Sequence, residues 1–173
     1  GVSAGNPILG YATDNALLPK VLFMVILAPV IEEYIFRKQL IDRMHIYGEK
    51  LAVITSALMF GLFHGNLSQL FYAFALGLVF GYVYLKTGKL RYSIGLHMLI
   101  NLIGSVIGPL FLEKIAVLDT METLDLATLE PIMPWLIGFG AYVLVLIGLA
   151  VAGLVLLCIN KRRVSFALAE MEL

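Results

Sequence analysis

Thiols and charges are both scarce in this 173-residue chain. Cys158 is its one cysteine, which excludes an intrachain disulfide and any zinc site built from several thiolates. Charged residues make up 14%, against about 25% in an average soluble domain. They are in balance, 12 basic and 12 acidic. No basic face is long enough to follow a phosphate backbone, so no nucleic-acid partner is expected. No charged, apolar and small-residue sequence of the signal-peptide kind stands at the start, so none is expected there. What fills the chain is apolar: 61% of residues, with a mean hydropathy of +0.95. That composition excludes a disordered chain or a collagen-like repeat. One soluble core of this length cannot hide so much apolar surface. The expected class is therefore a membrane protein.

Five hydrophobic segments are legible: 18–44, 51–65, 70–85, 92–112 and 135–159. The last has 25 residues without a charge and passes the test of about 20 apolar residues cleanly. A membrane β-barrel would need segments of alternating polarity. These are apolar all round, so the predicted fold is all-α, a polytopic transmembrane bundle of about five helices. Small residues recur four apart at Ala57, Gly61 and Gly65, at Gly77 and Gly81, and at Gly104 and Gly108. This spacing predicts close helix–helix approach.

Positive charge predicts orientation. Arg37, Lys38, Arg43 and Lys50 lie between the first two segments, and Lys86, Lys89 and Arg91 between the third and fourth. Lys161, Arg162 and Arg163 follow the fifth, so these three regions hold ten of the twelve basic residues. All three fall on one side of a five-helix alternation, and that side is expected to be cytoplasmic. The expected organisation is an N-terminal segment 1–17 that follows upstream helices absent from this chain, a catalytic helical core 18–112, an extracytoplasmic loop 113–134, and a final membrane helix with a basic cytoplasmic tail, 135–173.

A charged side chain at a helix centre in lipid costs about 2.5–3.5 kcal/mol on insertion scales. Glu32, Glu33, Arg37, His64, His97 and Asn101 therefore stand out. Glu33 and Arg37, four apart with Glu first, are spaced for an ion pair. Adjacent residues on a helix point about 100° apart, so Glu32 is expected to have a different partner and to face the bundle interior. Pro29, upstream, lacks an N–H and in an α-helix leaves the carbonyl of Val25 without its partner. His64 ends the second segment, one turn beyond Phe60. His97 and Asn101 share a face of the fourth. At 1.5 Å per residue, Glu32 lies about 18 Å from the end of its helix, and the other three can meet it at one depth.

Three motifs stand in order. Glu32-Glu33-Tyr34-Ile35-Phe36-Arg37 reads EExxxR, Phe60 with His64 reads FxxxH, and His97 with Asn101 reads HxxxN. Together they resemble the CAAX-protease and bacteriocin-processing (CPBP, Abi) family of intramembrane proteases. The resemblance covers roughly residues 18–112, and no motif falls on 113–173. It implies hydrolysis of a peptide bond in a membrane-associated peptide or protein. Glu32 would be the general base that activates water, with His64 sharing that work. His97 and Asn101 would stabilise the oxyanion, and Glu33, Arg37 and Phe60 would support the site.

Amide hydrolysis needs an activated water, an oxyanion donor and a proton for the leaving amine, and these residue types supply all three. No cofactor is expected under this reading. The alternative is zinc held by Glu32, His64 and His97, although the HExxH pattern is absent. Two other function classes fit buried Glu and His: a proton or ion path in a transporter, and a catalytically idle immunity or binding protein. The expected location is a prokaryotic plasma membrane.

Overall fold

The computed structural model of the chain describes residues 17–116, 118 and 126–167. The chain divides into two compact units. The first runs to Leu102 and includes the segment from Phe166; the second is Ile103–Ser165. Most of the expected N-terminal segment 1–17, and residues 117 and 119–125 of the expected loop 113–134, lie outside the described residues. Every described regular element is helical, as expected of a membrane helix bundle. Leu67–Thr87, Leu90–Ile115 and Met133–Asn160 are each long and apolar enough to cross a membrane.

In the first unit, α1 covers residues 17–44 and changes register along its length. A π stretch, Lys20–Leu27, is followed by an α-helical stretch, Ala28–Glu33, and a second π stretch, Tyr34–Ile41. Pro29, which cannot donate to the ladder, stands at the start of the α-helical stretch. After a turn at Gly48, which has φ of 103°, α2 runs Glu49–Phe63 and α3 runs Leu67–Thr87. Asn66 caps α3 by accepting from the N–H of Gln69 at 2.9 Å. Helix α4 begins at Leu90, and its part in this unit is Leu90–Leu102.

Helices α2 and α3 form a tight hairpin. A Cβ placed on Gly77 would sit 2.9 Å from the Cα of Ala57, and one on Gly61 would sit 2.9 Å from the carbonyl oxygen of Leu70. The small-residue spacing thus predicted this contact correctly at Ala57, Gly61 and Gly77. It misled at two positions. Gly65 has nothing within 4 Å and a φ of +68°, so it serves the turn, and Gly104 faces open space.

The start of α2, the end of α3 and the segment from Phe166 are tied together within this unit. Glu49, the first residue of α2, accepts from Lys86 Nζ at 2.8 Å and from the backbone N–H of Ala167 at 2.7 Å. Tyr84 donates to Asp42 at 2.8 Å, and the Phe166 ring packs on Tyr82. Beneath this layer lie Ile41, Ala52, Val53 and Tyr84.

The second unit holds a π turn, Ile103–Ile107, then α5 (Gly108–Ile115), the short α6 (Leu126–Leu129) and α7 (Met133–Asn160). The Tyr142 hydroxyl donates to the carbonyl of Ile103 at 3.1 Å, and Phe111 packs among Trp135, Phe139 and Tyr142. No residue of α7 is buried.

Candidate active site

Burial in the first unit selects an unusual set. Glu33, Arg37, Ser56 and Ser93 are 0% exposed and His97 is 4% exposed. Such groups persist in an apolar interior only when paired and hydrogen-bonded. The pairing is complete. Arg37 holds Glu33 with two bonds, Nε to Oε2 at 2.8 Å and Nη2 to Oε1 at 3.1 Å. Its third donor, Nη1, reaches the Ser56 hydroxyl at 2.7 Å, and Ser56 passes its own proton to the carbonyl of Phe36 at 2.7 Å. The guanidinium lies over the rings of Phe60 and Phe80, at 4.9 and 5.8 Å from their centroids.

The expected Glu33–Arg37 pair is therefore present, but Glu33 does more. Its Oε1 accepts from His97 Nδ1 at 3.1 Å, while the other ring nitrogen, Nε2, lies 3.7 Å from Glu32 Oε2. The two adjacent carboxylates do not take separate partners, as the 100° rule suggested. An imidazole carries nitrogens on two edges, so one ring can meet both. Because the Glu33 carboxylate accepts, Nδ1 of His97 carries the proton. The distance from Nε2 to Glu32 lies within ion-pair range and is too long for a direct hydrogen bond.

His64 ends α2 and returns its Nδ1–H to the carbonyl of Phe60 at 2.8 Å. That bond leaves Nε2 as the nitrogen with the lone pair. Phe60 stands edge-on to both imidazoles, 4.9 Å from His64 and 5.5 Å from His97. Phe80 stacks on His97 at 5.1 Å. The structure thus gathers Glu32, Glu33, Arg37, Phe60, His64 and His97.

Asn101 is set apart. Its Nδ2 donates to the carbonyl of Met24 at 2.8 Å. Among the described residues no hydrogen bond joins it to Glu32, His64 or His97. Ser56 and Phe80 were not singled out in the sequence. Ser56, Phe60 and His64 recur every four residues on one face of α2, a signal that could have found Ser56. Phe80 carries no such mark. An open apolar groove of about 590 Å³, lined by Val83, Thr87, Arg91, Tyr92, Gly95 and Leu96, lies between α3 and α4 and shares no residue with the cluster.

The region that bears this cluster is matched by a family model. The model described as type II CAAX prenyl endopeptidase Rce1-like covers residues 14–103. The chain belongs to the Rce1-like family. The match takes in all three motifs and stops where the second unit begins. A membrane-embedded CAAX protease, MroQ, of Staphylococcus aureus (strain USA300) is 31% identical over 104 residues, 54% of this chain and 42% of that protein. The chain therefore spans less than half the length of this curated relative. No solved structure matches. For this Rce1-like chain the zinc alternative needs three ligands at one point. Among the described residues no three His, Cys, Asp or Glu side chains are grouped to hold a metal ion. The carboxylate that would orient a histidine ligand, which the sequence did not reveal, is nevertheless there: Glu33 on His97.

Proposed function

We propose that the chain carries the catalytic core of an intramembrane endopeptidase, which hydrolyses a peptide bond of a membrane-associated peptide or protein. One observation supports this reading above the others: a single imidazole, His97, stands between two carboxylates inside the region that matches an endopeptidase family. The relative MroQ, called a CAAX protease, agrees with it.

The roles follow from the protonation the contacts favour. Glu33 holds His97 through Nδ1, so Nε2 donates only as part of an imidazolium. With Glu32 and Glu33 ionised, Arg37 and an imidazolium balance them, and the cluster is neutral in a low-dielectric setting. In that form Glu32 is a base and His97 a donor. Glu32 takes a proton from water, with the free Nε2 of His64 sharing the work, and the resulting hydroxide attacks the carbonyl carbon. The oxyanion is met by His97 Nε2–H and by the second N–H of the Asn101 amide. The proton on Glu32 then passes to the leaving amine. This route needs no metal. Phe60, Phe80 and Ser56 hold the imidazoles and the guanidinium in place.

The proposed setting is a multi-pass protein of a prokaryotic plasma membrane. The α1–α2 turn, the α3–α4 turn and the tail face the cytoplasm, and 113–134 faces out.

The test compares membrane peptidomes of cells carrying wild-type protein and Glu32→Gln, followed by cleavage of the peptides found, in liposomes. Glu32→Gln keeps shape and loses the base, so cleavage falls by about 10² or more. A membrane-permeant chelator leaves the wild-type rate unchanged. Loss with the chelator and recovery with zinc would move Glu32, His64 and His97 into ligand roles. Full cleavage by Glu32→Gln would overturn the proposal, and proton flux in the same liposomes would then favour a transporter.

A further inference from the structure

We infer that Asn101, besides facing the oxyanion with its second N–H, supplies the donor missing at Pro29, and so holds in place the stretch of α1 that carries Glu32 and Glu33. Only the catalytic use of that stretch rests on the endopeptidase reading.

In the π stretch Lys20–Leu27 each N–H reaches back five residues, and its last bond runs from the N–H of Ala28 to the carbonyl of Phe23. The next bond of that register would run from residue 29 to the carbonyl of Met24. Residue 29 is proline and has no N–H. In the continued π register it is the Met24 carbonyl that lacks its donor, where an α register would leave that of Val25. A stranded carbonyl inside a membrane protein finds no water to bond and must be met by another protein group.

Asn101 meets it, 77 residues away in sequence, at 2.8 Å. An amide suits this task because it donates without bringing a charge. His97 lies one turn before Asn101 on the same face of α4 and holds Glu33 at 3.1 Å. Helix α4 therefore grips α1 at two points, one on each side of the Pro29 interruption. Two grips fix both the rotation and the axial position of the intervening stretch Ala28–Glu33, and so the approach of Glu32 to His97 Nε2. With His97 alone, α1 could pivot about the Glu33 contact.

Met24-Val25 is the one Met-Val pair in the sequence. Labelling with carbonyl-¹³C methionine and ¹⁵N-valine therefore isolates the Met24 carbonyl in an NMR spectrum of the full chain in nanodiscs. Four proteins are compared: wild type, Asn101→Ala, Pro29→Ala and the double variant. Asn101→Ala is expected to move the Met24 resonance to that of a carbonyl without a hydrogen bond, to lower Tm, and to slow peptide cleavage at least tenfold. Pro29→Ala returns a backbone N–H. In that background Asn101→Ala should leave the Met24 resonance bonded and Tm unchanged, while cleavage still falls through the lost oxyanion donor.

A Met24 resonance indifferent to Asn101→Ala overturns the inference, as does equal loss of Tm in both backgrounds. If Asn101→Ala does not fold, recovery of folding in the double variant supports the inference and its absence overturns it. Absence of cleavage in all four proteins, with the resonance and Tm behaving as expected, would reject the endopeptidase reading and leave the clamp standing.

Discussion

Helices α1 and α7 solve the same solvent problem in opposite ways. α7, Met133–Asn160, meets an apolar surrounding with apolar side chains and buries none of them. α1 carries two carboxylates and a guanidinium, changes register around Pro29, and hides Glu33 and Arg37 completely. α7 is long and apolar enough to cross a membrane as one unbroken helix, whereas α1 is divided by its changes of register. Segments that carry chemistry in a membrane protein must hold polar groups in an apolar surrounding. Their polar groups are acceptable only because other helices satisfy them. In α1 those partners are Ser56 of α2, His97 and Asn101 of α4, and the rings of Phe60 and Phe80.

The contrast is broken most sharply by removing one member of the buried pair. Arg37→Met leaves the Glu33 charge without its bidentate partner and should cost about 3–5 kcal/mol, read as a collapse of folded yield and of Tm in detergent. Glu33→Gln should do similar damage. The double variant should lose less than the sum of the two, because no charge is then left alone. Additive losses would show that the pair is not coupled.

A smaller effect separates the packed α2–α3 contact from the exposed helix α7. Gly77→Leu drives a side chain into the backbone of Ala57 and should cost about 1–3 kcal/mol from overpacking. Gly148, on α7, has nothing within 4 Å, so Gly148→Ala should change stability by no more than about 1 kcal/mol, in the stabilising direction. Thermal unfolding of the two variants measures the difference, and equal losses would refute it.

The smallest effect concerns the layer that ties the tail to the turns. The Lys86 ammonium, and after it the N–H of Ala167, hold the Glu49 carboxyl below the ordinary glutamate range. A depressed carboxyl contributes stability that is present above its unfolded value and is lost as pH falls through its folded value. The tail should therefore stay docked at neutral pH and loosen only below the ordinary glutamate range. Glu49→Gln should loosen it at neutral pH and remove that dependence. Fluorescence from a probe at position 167, followed against pH, reads both. A tail that loosens in the wild type between pH 6 and 8 would contradict the assignment.

Much was legible before any coordinates. Periodicity and hydropathy located the helices to within a few residues, because a chain 61% apolar has few other ways to satisfy its backbone. The i, i+4 spacing of Glu33 and Arg37 named their bond, and the small residues Ala57, Gly61 and Gly77 named a close contact. Three ordered motifs pointed to the family, which the match over residues 14–103 bears out. Local spacing could reach these features because each depends on residues within a turn or two of one another.

Only the tertiary structure decided the rest. That Glu33 meets His97 as well as Arg37 joins residues 64 apart in sequence. That Ser56 completes the guanidinium, and that Phe80 stacks on His97, depends on how α2, α3 and α4 are placed around α1. The π register ahead of Pro29 sets the Met24 carbonyl opposite the missing donor, and an asparagine on another helix bonds it. Composition and spacing specify what each helix must bury. Which group on which neighbour satisfies it is set by the packing, since a buried donor or acceptor accepts any partner that arrives at the right distance and angle.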